Sequence, residues 1–512
     1  MWQVAWRFGA VAITCFAIAG CVTVSRDQAV ARIEADTEQR QLPSIIWPTG
    51  TTSQISAVDE RAKELLAKPL TAESAVQLAF LRNPGMRQAY ADLGIAQADV
   101  IEASRLPNPV LGYARLSPGG PGSSQITRSA SISLTDLLLL PVRRRFARAD
   151  FERAQLRIGN ALVDLATEVQ SAWYKEVSAR NVAALREAVS RASDASAEFA
   201  QRSRDAGNIS ARSLALQLAA ASEARVAAAR ASAEAVEARS ELARVLGVSS
   251  RAPWQTVNEL PALPGSDADE GSLIELAQKQ RLDAQALRRD VELLDSALTL
   301  ARRWRFLGEV EVGYERESET DGARLRGPTL NLELPLFNQG QAAVLRARSQ
   351  LELAQADLFA LELSIRNEVA LGLDRVATTR DIAERYRTAL VPQRESVVAR
   401  TQEEYNYMLV DLFELLHAKR EEFDAYQEYL EAVRDHWLAR VELRRVAGGH
   451  LPDDEQALQP AIGVDQILKP GRPGPGHSQD QKGAQPDARG REPDSANRGE
   501  HDFHPESRKP PR

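Results

Sequence analysis

The chain has 512 residues, with 64 basic and 71 acidic side chains and a net charge of −7 at pH 7. Its apolar share of 44% allows a large core, while the acidic balance excludes the basic footprint that a nucleic-acid partner requires. Aromatics at 5% and abundant alanine favour helix over sheet. No G-x-x-x-x-G-K-S/T, H-E-x-x-H or G-x-S-x-G motif occurs, so the enzyme classes they mark are excluded.

In chain order, Arg7 precedes an apolar run from Phe8 to Ile18, followed by Ile18-Ala19-Gly20-Cys21. Residues 1–20 therefore read as an export signal. Small residues immediately before a cysteine resemble a bacterial lipobox, in which Cys21 receives a diacylglycerol and becomes the first residue. The alternative is an ordinary signal with a chance cysteine. Val22 in place of Asp after the cysteine implies the outer membrane as destination. The only other cysteine, Cys15, lies in the removed segment, so no internal disulfide is expected. No later apolar run is long enough for a transmembrane helix.

Residues 21–70 have weak periodicity and are expected to form a lipidated, irregular N-terminal arm. Beyond them the chain is duplicated at an offset of 200 or 201 residues. Gly112-Tyr113-Ala114-Arg115 recurs as Gly313-Tyr314-Glu315-Arg316, and Glu168-Val169 as Glu368-Val369. Glu241-Leu242-Ala243-Arg244-Val245-Leu246-Gly247 recurs as Glu442-Leu443-Arg444-Arg445-Val446-Ala447-Gly448. The first copy spans 71–248 and the second 272–448, with a proline-bearing segment at 249–271 between them.

Each copy reads as helix, two strands and two very long helices. In the first, Thr71 caps a helix reaching Ser104, and strands follow at 109–117 and 125–135. A helix from Val142 to Arg204, about 90 Å long at 1.5 Å per residue, precedes an alanine-rich return to Gly247. In the second, a helix at 272–305, strands at 308–317 and 326–336, and a helix at 341–404 precede a return at 409–447. There Phe423, Tyr426, Leu430, Val433 and Trp437 step by three and four, the seam of paired helices. Residues 449–512, rich in Pro, Gly, Gln, Arg and Asp, are expected to be a disordered tail.

The strands alternate. In Glu309-Val310-Glu311-Val312-Gly313-Tyr314-Glu315 and Thr329-Leu330-Asn331-Leu332-Glu333-Leu334 one face is aliphatic and the other acidic or polar. A half-buried sheet in a soluble domain gives the same pattern. Ten-residue strands also suit a tilted membrane crossing. Four strands cannot close a barrel, and open edges in lipid leave backbone groups unpaired, so several chains would have to pool their hairpins. Glu309, Glu311, Glu315 and Glu333 would then line a wet lumen.

Several motifs resemble those of TolC-type outer-membrane factors. They are Leu70-Thr71-Ala72-Glu73-Ser74-Ala75 with Arg82-Asn83-Pro84, Leu106-Pro107-Asn108-Pro109, Leu334-Pro335-Leu336-Phe337-Asn338-Gln339-Gly340, and the closing Glu442-Leu443 to Gly448. The likeness covers residues 65–448. It implies a mainly α chain with a small β part, forming a homotrimer. A twelve-stranded transmembrane barrel would stand on a helical tunnel in the periplasm of a Gram-negative bacterium. It also implies a periplasmic adaptor and an inner-membrane pump, with the RND type first, and no cofactor beyond the lipid on Cys21.

The resemblance maps the family's periplasmic mouth to Asp411-Leu412-Phe413-Glu414-Leu415-Leu416-His417-Ala418, where Glu414 and His417 take the places usually held by two acids and His417 is the departure. One helical turn apart, they share a face and in three copies would ring the aperture. An ordinary polar pair on a solvated face is the competing reading. All six histidines follow residue 416, and His417, His501 and His504 are weak metal candidates beside the plain reading of a polar tail. Heavy-metal export leads narrowly as cargo over drugs or type I protein secretion. A periplasmic adaptor lipoprotein is a further alternative, disfavoured by the twinned helical hairpins and paired strands. In detergent the purified chain is expected to run as a discrete oligomer on sizing with light scattering; a stable monomer would contradict the pooled-hairpin reading.

Overall fold

The computed structural model describes residues 25–47, 52–117, 119–120, 122–264, 269–306, 308–449 and 451. The expectations for residues 1–20, Cys21, and most of the tail, including His501 and His504, lie outside the described residues. The described part is mainly helical with one small antiparallel sheet.

The N-terminal arm departs from the irregular conformation expected of it. Helices α1 (Arg26–Glu38) and α2 (Thr52–Leu66) occupy much of it. Ser25 caps α1, and its buried residues, Ala29, Ile33 and Thr37, lie four apart on one narrow stripe. A stripe so thin among charged neighbours leaves little periodicity to read in the sequence.

The helix expected from Thr71 to Ser104 is two helices, α3 (Ala72–Arg82) and α4 (Pro84–Ser104). A capping box between Thr71 and Ser74 starts α3. Asn83 breaks the pair: its backbone is extended, its Oδ1 accepts the Gly85 N–H at 2.7 Å, and Pro84 opens α4. The second copy repeats the break at Arg281, between α7 (Glu270–Gln280) and α8 (Leu282–Arg303).

Strands β1 (Val110–Leu116) and β2 (Gln125–Ser133) form the first hairpin, and β3 (Val310–Ser318) and β4 (Arg324–Leu332) the second. They make one sheet in the order β1-β2-β3-β4, each neighbour antiparallel. Strand β2 ends at 133, short of the expected 135, because Ser133 Oγ accepts the Asp136 N–H at 3.1 Å and caps the next helix. That helix, α5 (Leu134–Asp205), has 72 residues and runs through Pro141, giving a rod of about 110 Å. Strand β4 stops at 332 before Pro335, and helix resumes only after Gly340.

A turn with Gly207 in the left-handed region joins α5 to its antiparallel return α6 (Ala211–Leu246). In the second copy the long helix is interrupted, running as α9 (Gln341–Arg385), a π turn (Tyr386–Leu390) and α10 (Val391–Asn406). Pro392 explains the interruption, since it lacks an N–H and its ring displaces the carbonyl four residues back, at Thr388. The return helix α11 (Leu412–Val446) buries Tyr426, Leu430, Val433 and Trp437.

The duplication reappears as matched junctions. Gly247 ends α6 at φ 68°, and an added Cβ would lie 2.4 Å from the Arg82 carbonyl oxygen. Gly448 follows α11 at φ 96°, where an added Cβ would meet Gln280 at 2.9 Å. Each long return helix thus closes against the break in its own copy's short helix pair, and only glycine fits the conformation and the gap.

The main core lies where the two copies meet around the inter-repeat segment. Trp173 Nε1 donates to the Leu70 carbonyl at 2.9 Å, and Trp437 Nε1 to the Pro261 carbonyl at 2.9 Å. The rings of Tyr174 and Trp437 stack at 5.4 Å. Leu70 pairs with the backbone of the segment, and buried Glu176 accepts from the Thr256 hydroxyl at 2.6 Å. These bonds satisfy a proline-bearing strap whose described residues 249–264 form no helix or sheet of their own.

At the second junction Arg281 is buried and bonds both Asp283, at 2.8 Å, and Glu368, at 2.6 Å. Burial pushes both carboxyls up, but the shared guanidinium overrides it and holds both below the usual carboxylate range. A depressed folded-state pKa contributes stability above the unfolded value, near 4, that is lost as pH falls through the folded value. Arg281→Met should therefore lower stability by about 2 kcal/mol at neutral pH, discounted for the partly exposed carboxylates. Denaturant titrations should show a smaller loss in acid for the variant than for the parent chain.

Candidate functional site

Two places carry the sequence-derived site residues: the sheet, and the tips of the long helical hairpins. Pleating puts alternate residues on opposite faces, and register decides which of them meet across strands. On one face Glu311 stands opposite Ser133 and Asn331, and Glu315 opposite Ser129 and Gly327. The Asn331 Nδ2 donates to Glu311 at 3.2 Å, and the Ser131 hydroxyl donates to its other oxygen. Glu333 accepts the Glu309 backbone N–H at 3.3 Å, so these two and Glu311 gather at the helix-proximal end, with Glu315 further along. Glu317 belongs to the same face and bonds Gln125; its parity with Glu311 and Glu315 was the signal that would have added it to the candidates.

The opposite face carries Leu111 and Tyr113 from β1, Ile132 and Ala130 from β2, Val312 and Tyr314 from β3, and Leu330 and Leu332 from β4. Leu111, Tyr113, Tyr314, Leu330 and Leu332 are all exposed in the single chain. The separation is less clean on β1, where Val110 and Leu116 share the acidic face with Gly112 and Ala114. The outer strands β1 and β4 each have one edge without a strand partner in the sheet. Such a surface can sit in lipid with its apolar face outward and its carboxylates inward, provided another chain completes the edges.

At the helical tips, α5 turns into α6 near Gly207, and α10 into α11 through Tyr407 to Asp411. The second turn is strained at Met408, with φ 60°, and exposes Tyr407, Met408 and Leu409. Asp411 caps α11 by accepting the Glu414 N–H at 2.9 Å, which fixes Glu414 in the first helical turn, where an acid is favoured. Both Glu414 and His417 are exposed. His417 Nε2 lies 3.5 Å from Glu421, and its Nδ1 3.3 Å from the Arg420 guanidinium; Glu414 has no ion pair among the described residues. The imidazole thus has a local carboxylate, Glu421, that the i, i+4 spacing from His417 would have disclosed. His417 also lines a groove of about 350 Å³ shared with Leu216 and Gln217 of the first copy's hairpin.

Above the tips one ion pair ties the two hairpins, Arg186 of α5 to Asp424 of α11 at 2.7 Å. Within the second hairpin the Tyr386 hydroxyl donates to Glu428 at 2.9 Å, and Arg394 pairs with Glu421. Among the described residues no group of three or more His, Cys, Asp or Glu is placed to hold a metal ion. No described helix is long and apolar enough to cross a membrane.

No protein-family model matches the chain. It is 22% identical over 393 residues to the cobalt-zinc-cadmium resistance protein CzcC of Cupriavidus metallidurans, covering 75% of this chain and 91% of that one. Among solved structures it resembles a membrane protein from Pseudomonas aeruginosa, with 20% identity, a TM-score of 0.61, and 76% and 93% of the two chains covered. It also resembles CusC, described as forming a transmembrane channel, with 14% identity, a TM-score of 0.61, and 74% and 92% covered. The fold is that of a transmembrane channel protein. More closely, it is the fold of the TolC-type outer-membrane channels.

If the tip residues line the aperture, removing their charge should weaken the field that concentrates cations there. Replacing Glu414 and His417 by alanine together should lower cation-over-anion permeability severalfold in planar bilayers and blunt the block by divalent ions. Unchanged selectivity and ion sensitivity would assign the pair to an ordinary solvated face.

Proposed function

We propose that three copies of this chain form the outer-membrane exit channel of a tripartite efflux system. The observation that carries this reading is a four-stranded sheet with open edges, one apolar exposed face and one acidic face, mounted on helical rods of which the longer is about 110 Å. Three such sheets would close a twelve-stranded barrel with Glu309, Glu311, Glu315 and Glu333 toward the lumen. Their rods would continue the bore through the periplasm.

Closure removes the unpaired backbone edges, and the alternation of the strands gives lipid a greasy wall and the bore a wet one. Conduction is passive, with energy supplied by an inner-membrane pump, of the RND type first, and reaching the channel through a periplasmic adaptor. A diacylglycerol on Cys21 would hold the arm to the membrane. Heavy-metal cations are the proposed cargo, supported by the likeness to a cobalt-zinc-cadmium resistance protein and by acidic side chains on the inner face.

Deleting the gene should lower tolerance to cobalt, zinc or cadmium severalfold in growth assays, with restoration by the plasmid-borne chain. Fractionation should place the chain in the outer membrane. Sensitisation to drugs alone would move the cargo to organic molecules; retention with the inner membrane would favour the adaptor reading.

A further inference from the structure

The apolar face of the sheet changes character toward its hairpin turns, the end away from the long helices. Three strands present arginines in one register: Arg128 stands opposite Arg316, and Arg316 opposite Arg326, with Tyr113 completing the row on β1. In the next row outward, Arg115 of β1 and Arg324 of β4 take the two ends, with Ile126 and Ser318 between them. All five arginines are exposed. Every glutamate within the strands, Glu311, Glu315 and Glu317, points to the other face.

Adjacent strands lie about 4.8 Å apart, so the three guanidinium groups project side by side from neighbouring backbones. Like charges directly opposite each other across strands are destabilising, and nothing in the sheet offsets them. Among the described residues Arg128, Arg316, Arg324 and Arg326 make no ion pair, and the Arg115 side chain donates to the Ser124 hydroxyl, at 3.1 Å. In the β3–β4 turn Asp321 is engaged locally, accepting the Ala323 N–H at 2.8 Å. The face therefore holds a concentrated positive field bordered by Leu111, Tyr113, Tyr314 and Leu330, which belong in hydrocarbon or at its boundary.

We infer that this arginine row binds the phosphate groups of the lipids in the surrounding outer leaflet. The inference rests on the reading of the sheet as a membrane barrel wall, with the helices on the periplasmic side and the turns outside. In that placement the row lies on the lipid side at headgroup depth, where arginine is tolerated and its planar fork matches phosphate oxygens in pairs. Phosphomonoesters suit the site better than diesters, because each brings more charge and more acceptor oxygens. The bound lipids neutralise the like-charge row, so lipid occupancy and barrel stability are coupled. Arginine here does work that serine or threonine on the same surface could not.

The test compares the full chain, purified in detergent, with Arg128→Gln/Arg316→Gln/Arg326→Gln. Retention of bis-phosphorylated lipid A and of phosphatidylcholine is measured by mass spectrometry, and channel conductance is recorded on the same preparations. The parent chain should retain lipid A roughly tenfold better than the variant, with little difference for phosphatidylcholine. Its lipid A retention should fall steeply with added salt. Equal retention by the two proteins, or salt-independent retention by the parent chain, would overturn the inference. So would full displacement of the lipid by inorganic phosphate at matched concentration, which would indicate an ion site and not a lipid site. If the glutamine variant does not assemble, Arg128→Lys/Arg316→Lys/Arg326→Lys keeps the charge and loses the fork, and should retain an intermediate amount. A parent chain that conducts but shows no preference for lipid A sinks only this inference, whereas a parent chain that neither oligomerises nor conducts sinks the channel reading itself.

Discussion

Strands β1 and β4 each present an edge of backbone N–H and C=O groups that the chain does not satisfy. In water such an edge is tolerable, but in hydrocarbon every unpaired group costs several kcal/mol. The face that would meet hydrocarbon is apolar, and the face that would meet water is acidic, so the sheet is suited to lipid only if its edges are closed by others like it. Most of the remaining architecture can be understood as the means of holding two short hairpins in one sheet. Strands β2 and β3 are far apart in sequence, and the helical rods return the chain to the point where they pair.

The rods depend on the junctions where their return helices end. Each return helix ends in a left-handed glycine, Gly247 or Gly448, seated against the break in the short helix pair of its own copy. The copies then diverge around this shared plan. Asn83 breaks the first pair with a side-chain cap and a bond to the Val245 carbonyl at 2.7 Å, whereas Arg281 breaks the second through a buried ion pair network. In the first copy the helix starts directly from the strand through the Ser133 cap; in the second, Pro335 and Gly340 delay it. The same division of labour holds at the tips, where only the second copy carries Glu414 and His417, against Leu214 and Gln217 in the first. A duplicated scaffold thus supplies near-symmetric geometry on which one-sided chemistry is placed.

The inter-repeat segment joins these parts. It has few backbone bonds of its own, so side chains from both copies satisfy it: Trp437 donates its ring N–H to the Pro261 carbonyl, and Arg180 donates to the Val257 carbonyl at 2.6 Å, while Trp173 holds the adjoining Leu70 carbonyl. Arg239 caps the region by lying 3.8 Å over the Trp254 ring while bonding three carbonyls. The likeness of the fold to solved membrane proteins at 14–20% identity is consistent with this economy. Few positions are dictated by chemistry, and the rest need only keep an apolar seam.

The order of elements, the duplication and the two-faced strands were legible in the sequence because each is a local periodicity, of two residues in a strand and of three to four in a helix. Gly313-Tyr314 echoing Gly112-Tyr113 needed no structure, nor did the seam from Tyr426 to Trp437. Other features were hidden because their causes are not local. Helix α1 buries a stripe of three residues whose worth depends on α5 beside it. The break at Arg281 has no proline or cap and is held by Glu368, far along the chain. The alignment of Arg128, Arg316 and Arg326 exists only once β2 has paired with β3 and β3 with β4, since alternation assigns a residue to a face but not to a row. The sequence by itself determined which side chains share a face; tertiary pairing decided which of them meet, because register is a property of two strands together and not of either alone.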